Sequence, residues 1–204
     1  MSTKIALDGV GGQGVRVIAG VMGALLARMG KEVTVLFDYD SSVRGSMSDA
    51  FLIFDDVPIA NPVVEEADIM LKLADKGHLR ISGRKVVADL GLDVPGAEQI
   101  PFASLGSQLF GKELFGNMIA LGRLLRLAGI EFDEPAIRES LPKRYMDDNV
   151  AAIRFGYDLT EEEIARLAKA APPSRFQMNT AATAGTHERT ISAGHGVAAG
   201  TPRS

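Results

Sequence analysis

Six residues near the start of the chain, Gly9-Val10-Gly11-Gly12-Gln13-Gly14, satisfy the spacing G-x-G-x-x-G. Glycines at that spacing allow a tight turn and a close backbone approach to a ligand. A helix starting directly after them would aim unpaired N–H groups and the positive end of its dipole at an anion such as a phosphate. The run follows a strand-like segment and precedes a helical pattern, and that context gives the motif its chemical meaning. Two readings stay open: contact with a phosphate-bearing ligand, or close packing of a helix on a sheet. Gln13 adds an amide that can both donate and accept within the loop. A second candidate group is Arg44-Gly45-Ser46, a guanidinium beside flexible backbone. Arg44 could clamp a phosphate or carboxylate through paired N–H bonds, or it could be a solvated surface arginine. Asp38 or Asp40 stands where a dinucleotide-binding protein would hold a ribose.

The same inventory excludes other chemistry. The sequence contains no cysteine, so it offers no disulfide, no thiolate nucleophile and no cysteine ligand for zinc or an iron–sulfur cluster. His78, His187 and His195 are its only histidines, and their spacing makes no structural zinc site, so no metal is expected on this chain. With 22 basic and 26 acidic side chains, the net charge of -4 argues against nucleic acid or an anionic membrane as partner. The longest apolar stretch, Val17 to Ala27, is far short of the roughly 20 residues of a membrane span. The opening Met1-Ser2-Thr3-Lys4 runs straight into an apolar segment, and the expectation is a cytoplasmic protein.

The elements that must position these groups follow from periodicity. Lys4 to Asp8 reads as a buried strand. Val15, Ile18, Ala19, Met22, Leu25, Leu26 and Met29 recur at helical spacing and stop at Gly30. Glu32 to Phe37 is a second strand, so the first 37 residues predict a βαβ unit with parallel strands. Asp49 to Phe54 is a third strand, with Asp55-Asp56 as a turn and Val57-Pro58-Ile59 as a short antiparallel return. Two more short strands are expected at Asp68 to Leu73 and Arg84 to Asp89, and an edge strand at Ile100-Pro101-Phe102. Helices are predicted at Asn117 to Ala128, Glu134 to Leu141, Asp147 to Phe155 and Thr160 to Ala170. Thr160 and Glu163 form a capping-box pair at the start of the last. The expected fold is α/β: a three-layer α/β/α arrangement with a mostly parallel, Rossmann-like sheet, a short antiparallel hairpin and a helical C-terminal half. Residues 1–171 form that domain. The 33 residues from Pro172 to Ser204 hold too little apolar surface to fold alone, so an extended tail docked on partner subunits is expected there.

Taken together, Gly9-x-Gly11-Gly12-Gln13-Gly14-Val15 and Tyr39-Asp40-Ser41-Ser42-Val43-Arg44-Gly45-Ser46 resemble the gamma subunit, or gamma domain, of the 2-oxoacid:ferredoxin oxidoreductases. These are the pyruvate, ketoisovalerate, 2-oxoglutarate and arylglyoxylate enzymes. Further blocks match the same family: Pro58-Ile59-x-x-Pro62-Val63 with Ala67-Asp68-Ile69, Asn117 to Gly122, and Asn149 to Ala152 with Gly156-Tyr157. The likeness runs from residue 3 to about 160. One departure is Ser46, where the family commonly has glycine. In the tail, Gly194-His195-Gly196 looks like the start of the same enzymes' beta subunit, with Ala198 and Thr201 at the cluster-binding cysteine positions. A chance Gly/Ala-rich linker reads equally well there.

The resemblance implies a chain that works inside a larger enzyme. Such complexes turn a 2-oxoacid and coenzyme A into an acyl-CoA, carbon dioxide and two electrons. Thiamine diphosphate, magnesium and iron–sulfur clusters would sit on alpha, beta and delta type subunits, with ferredoxin or a flavoprotein taking the electrons. This chain would supply scaffold and part of the coenzyme A site through Gly9, Gly11, Gly12, Gln13, Gly14, Arg44, Gly45 and Ser46, with no catalytic residue of its own. A different class of function is a free-standing Rossmann NAD-binding dehydrogenase or regulator, which the glycine loop and Asp38 would also suit. A third is a purely structural subunit whose glycine loop docks on a partner's backbone.

Overall fold

The computed structural model describes residues 2–39, 48–74, 81–92 and 94–170. Arg44, Gly45, Ser46, Asp40, His78 and the segment 172–204 lie outside the described residues. Six strands form one mixed sheet in the order β2-β3-β1-β4-β5-β6. They are β1 (Thr3–Asp8), β2 (Glu32–Tyr39), β3 (Ser48–Asp55), β4 (Glu66–Lys72), β5 (Ser82–Asp89) and β6 (Glu98–Ile100). β1, β4, β5 and β6 pair in parallel.

The expected βαβ unit is altered in one respect. β1 and β2 run in the same direction, but they are not neighbours. β3 lies between them, antiparallel to both, with Ile5 opposite Leu52 and Val35 opposite Leu52 on its other side. The strand signal at Asp49 to Phe54 was legible, but its insertion between the two strands was not, since periodicity carries no sheet order. The antiparallel pairings are therefore those of β3, the long β2–β3 ladder and the β1–β3 ladder. Val57 to Ile59, read as a returning strand, is instead part of an irregular connection.

Helix α1 (Val15–Arg28) buries Val15, Ile18, Ala19, Met22, Leu25 and Leu26 along one stripe. Gly30, at φ +81°, ends it, and Lys31 N–H donates to the Leu26 carbonyl at 3.0 Å. The remaining helices are α2 (Phe102–Phe110), α3 (Gly116–Leu127), α4 (Glu134–Ser140), α5 (Met146–Asp158) and α6 (Glu161–Ala170). Phe102 opens a helix, not an edge strand as expected. Pro101 leaves the edge to β6 and presets the turn into α2. The capping box forms as read: Thr160 N–H donates to Glu163 at 2.9 Å, and Glu163 N–H donates back to the Thr160 hydroxyl at 3.2 Å.

Among the described residues, the apolar side chains of all six helices join one core with Ile5, Leu7, Ile69, Leu71 and Val87. The helices thus share a single core. Ala6 alternates with Ile5 and Leu7, so it faces the other way, into a smaller cluster with Ala67 and Met70. α3 and α5 cross in close contact because Gly122 and Gly156 bring backbone to backbone. A Cβ on Gly122 would overlap the Ile153 carbonyl oxygen, and one on Gly156 that of Ile119. The Asn117–Gly122 and Gly156-Tyr157 blocks thus have a packing cause.

Candidate functional site

The glycine loop sits where β1 ends and α1 begins, at the C-terminal edge of the parallel strands. Ligands of open α/β sheets collect at that edge. Backbone bonds tie it down on both sides. Ser48 N–H donates to the Gly9 carbonyl at 3.0 Å, and Leu73 N–H donates to the Asp8 carbonyl at 2.8 Å. Gln13 is turned inward. Its Oε1 accepts from Val10 N–H at 2.8 Å, and its Nε2 donates to the Leu73 carbonyl at 2.8 Å. The amide therefore shapes the loop and ties it to the end of β4.

The glycines divide by cause. A Cβ on Gly9 would lie 2.6 Å from a Val15 methyl, and one on Gly14 would overlap the Asn117 side chain. Those two are required by packing, and Gly14 also takes φ +79°. Gly12 differs: it has φ +96°, it is exposed, and nothing lies within 4 Å of where its Cβ would be. Gly11 beside it is exposed as well. Helix α1 starts there with no side-chain cap and no acidic residue in its first turn. The first-turn N–H groups of a helix lack intrahelical partners, so this end favours an anion. Gly11 and Gly12 present bare backbone beside that helix start.

Several groups at the same edge escaped the sequence reading. Arg16, in the first turn of α1, has its guanidinium carbon 5.1 Å from the centre of the Phe37 ring. Asp8 is buried beside Lys72 across the β1–β4 pair, with Lys72 Nζ 3.7 Å from its carboxylate. Asp49, also buried, stands opposite Asp38 in the β2–β3 register, and Asp38 is exposed. Arg16 could have been suspected, being the first cation after the glycine run. The Asp8–Lys72 pair depends on sheet order and left no local signal.

Asp89, at the C-terminal end of β5, accepts backbone hydrogen bonds from Phe102 and Ala103 at the start of α2. It serves α2 as a remote cap, since Pro101 makes no side-chain cap bond. Burial outweighs those two bonds and pushes its carboxyl up to about 7. A carboxyl raised from 3.8 contributes stability that is full below its unfolded value and is lost as pH rises through about 7. Asp89→Asn is thus expected to flatten the dependence of stability on pH between about 4 and 7. At pH 8 the variant should be more stable, by on the order of a few kcal/mol. Urea melts at pH 5 and pH 8 check this; a wild-type stability that rises between those values through Asp89 would contradict it.

Among the described residues, no cluster of His, Asp or Glu could hold a metal ion, and no helix is long and apolar enough to cross a membrane.

Comparison with known proteins fits this architecture. The family model for pyruvate ferredoxin/flavodoxin oxidoreductase matches residues 4–159. The 2-oxoglutarate synthase subunit KorC of Methanocaldococcus jannaschii is 30% identical over 180 residues, which span 79% of this chain and 96% of that protein. Its namesake from Archaeoglobus fulgidus is 30% identical over 162 residues, 76% of this chain and 87% of that one. Among solved structures, the gamma subunit of a keto/oxoacid ferredoxin oxidoreductase from Geobacter sulfurreducens shares the fold. Its TM-score is 0.63 at 22% identity, over 82% of this chain and 98% of that one. A 2-oxoglutarate:ferredoxin oxidoreductase from Magnetococcus marinus, solved with 2-oxoglutarate, coenzyme A and succinyl-CoA, gives a TM-score of 0.62 at 19% identity. That match covers 85% of this chain and 32% of that one. With the family match spanning nearly the whole α/β domain, the chain belongs to the pyruvate ferredoxin/flavodoxin oxidoreductase family, as a subunit of such an oxidoreductase.

Proposed function

We propose that this subunit contributes scaffold and part of the coenzyme A site to a complex that oxidatively decarboxylates a 2-oxoacid to its acyl-CoA. The relatives named 2-oxoglutarate synthase favour 2-oxoglutarate as the substrate. The observation that carries the coenzyme A reading is the exposed Gly11-Gly12 backbone at an α1 start free of acidic side chains. Coenzyme A carries a pyrophosphate and a 3′-phosphate, and such a helix start suits a phosphate. Gly9 and Gly14 let helix and strand close up, Gln13 fixes the loop, and Gly11 and Gly12 face the ligand. Arg44, Gly45 and Ser46, in the connection after β2, complete the site. Coenzyme A supplies the thiol that receives the acyl group, while this chain's part is to bind and orient it.

The remaining chemistry falls to partners, because the sequence has no cysteine to hold a cluster. Alpha, beta and delta type subunits hold thiamine diphosphate, magnesium and the iron–sulfur clusters, and ferredoxin or a flavoprotein accepts the electrons. The segment 172–204 docks on those subunits.

The test is made on the assembled complex. Arg44→Lys should raise the KM for coenzyme A and Arg44→Ala should raise it further, because lysine offers a point charge where arginine bridges two oxygens. Losing one charge-assisted contact is worth about 1.5–3 kcal/mol, or roughly ten- to a hundredfold in affinity. Reaction of the 2-oxoacid on the partner subunits, measured without coenzyme A, should survive both changes. An Arg44→Ala complex recovered in low yield but with an unchanged KM would place Arg44 at an interface and end the proposed role.

A further inference from the structure

A second group of cations gathers around Tyr145. Lys112 lies in the turn after α2, and Lys143, Arg144 and Tyr145 lead into α5. Lys112 Nζ is 3.7 Å from the centre of the Tyr145 ring, and the Arg144 guanidinium carbon is 4.7 Å from it. Arg144 Nη2 donates to the phenol oxygen at 2.9 Å. The Lys112 and Arg144 cations hold the phenol below its ordinary pKa. With its oxygen accepting from Arg144, the phenol keeps its own O–H to donate to a ligand.

Among the described residues, Lys112, Lys143 and Arg144 have no carboxylate partner, and all three are exposed. Of the acids in these turns, Asp147 is held by Arg138 at 2.8 Å, and Glu113 and Asp148 point to solvent. The cluster is held rigidly for a surface feature. Tyr145 is the only non-glycine residue with positive φ among the described residues, at 58°. Such a conformation is costly for a bulky side chain and ordinarily belongs to glycine or asparagine. Asn149, buried, keeps it in place: its N–H donates to the Tyr145 carbonyl at 2.9 Å, and its Nδ2 donates to the Arg144 carbonyl at 3.1 Å. The Tyr145 ring meets Phe115 edge-on, with centres 5.9 Å apart. A glycine would remove the strain but would also remove the phenol.

We propose that Lys112, Lys143, Arg144 and Tyr145 form an oxyanion site that takes a phosphate group. The cluster offers several N–H donors and one O–H donor, with no carboxylate among them. Three terminal oxygens of a phosphate can use donors arriving from two turns, whereas a carboxylate has only two oxygens to offer. This inference does not rest on the coenzyme A reading.

The full chain is titrated with inorganic phosphate while sodium chloride keeps the ionic strength constant. The phenol absorbance near 295 nm reports on its three tyrosines, and Tyr145→Phe identifies the contribution of Tyr145. Phosphate should shift the Tyr145 titration saturably towards higher pH, because the bound anion disfavours a phenolate beside it. Lys112→Met and Arg144→Met should each weaken that response tenfold or more, with far-ultraviolet circular dichroism unchanged. A soluble monoester, glycerol 3-phosphate, separates the sources. Tighter binding than inorganic phosphate identifies a phosphate ester as the natural ligand, and equal binding identifies the free ion. Absence of a saturable response in the wild-type chain, or an equal response to acetate, overturns the proposal whatever the variants do.

Discussion

Gly156→Ala should cost at least about 3 kcal/mol of folding stability, more than overpacking ordinarily does. The added methyl would overlap the Ile119 carbonyl oxygen, and neither helix backbone can bend away as a side chain would. To admit it, α3 and α5 must move apart, separating Ile119, Leu121, Ile153 and their neighbours in the core. Gly122→Ala meets the Ile153 carbonyl from the opposite helix and should behave alike. The control is Gly20→Ala. Gly20 lies inside α1, is exposed, and has nothing within 4 Å of the Cβ position. Alanine there should stabilise by about 0.5–1 kcal/mol through helix propensity alone. Urea midpoints of the three variants decide the matter. A Gly156→Ala protein within about 1 kcal/mol of wild type would mean that the crossing is looser than described.

Arg123 carries the second large effect. It is 5% exposed, and its guanidinium grips Glu98 through two bonds of 2.7 Å while Nη1 donates to the Leu159 carbonyl at 2.8 Å. That one side chain joins α3, the edge strand β6 and the residue that precedes the α6 capping box. Removing it as Arg123→Ala leaves a half-buried carboxylate and a carbonyl without partners, and should cost roughly 3–5 kcal/mol. Arg123→Lys should recover only part of this, because an ammonium cannot span both carboxylate oxygens. The double variant Arg123→Met/Glu98→Met should be more stable than Arg123→Ala, since no charge is stranded. Equal loss in the double variant and in Arg123→Ala would show that the lost pairing itself, and not a stranded carboxylate, sets the cost.

How far the sequence could be read depended on the range of each interaction. The capping box of Thr160 and Glu163, the Gly30 stop of α1 and the apolar stripe from Val15 to Leu26 are made within a few residues, so the chain declares them locally. The family blocks were legible too, and packing explains Gly122 and Gly156 within them. Sheet order was not legible: β3 and the expected return at Val57 to Ile59 both looked like strands, and only tertiary pairing decides between them. α2 was hidden because Pro101 suggested an edge strand, and because the group that caps α2, Asp89, is on another element. At the glycine loop the spacing marked the place, while the roles within it needed coordinates. Gly9 and Gly14 are set by Val15 and Asn117, and the Gln13 amide is taken up by Val10 and Leu73.

The position of β3 between β1 and β2 also sets the order in which the sheet can be assembled during synthesis. β1 precedes both of its sheet neighbours in the chain, so neither is available when it is synthesised. Its partners β3 and β4 end at Asp55 and Lys72, so β1 and the glycine loop that follows it must wait for both. β2 and β3, separated by one short connection, can pair early at low loop-closure cost and offer α1 a surface. β1 then enters as a central strand, through long-range pairings that are intrinsically slow to form. The edge that carries the glycine loop is thus completed only when the nascent chain has passed β4, and before that point an unpaired β1 is the segment a chaperone would have to guard.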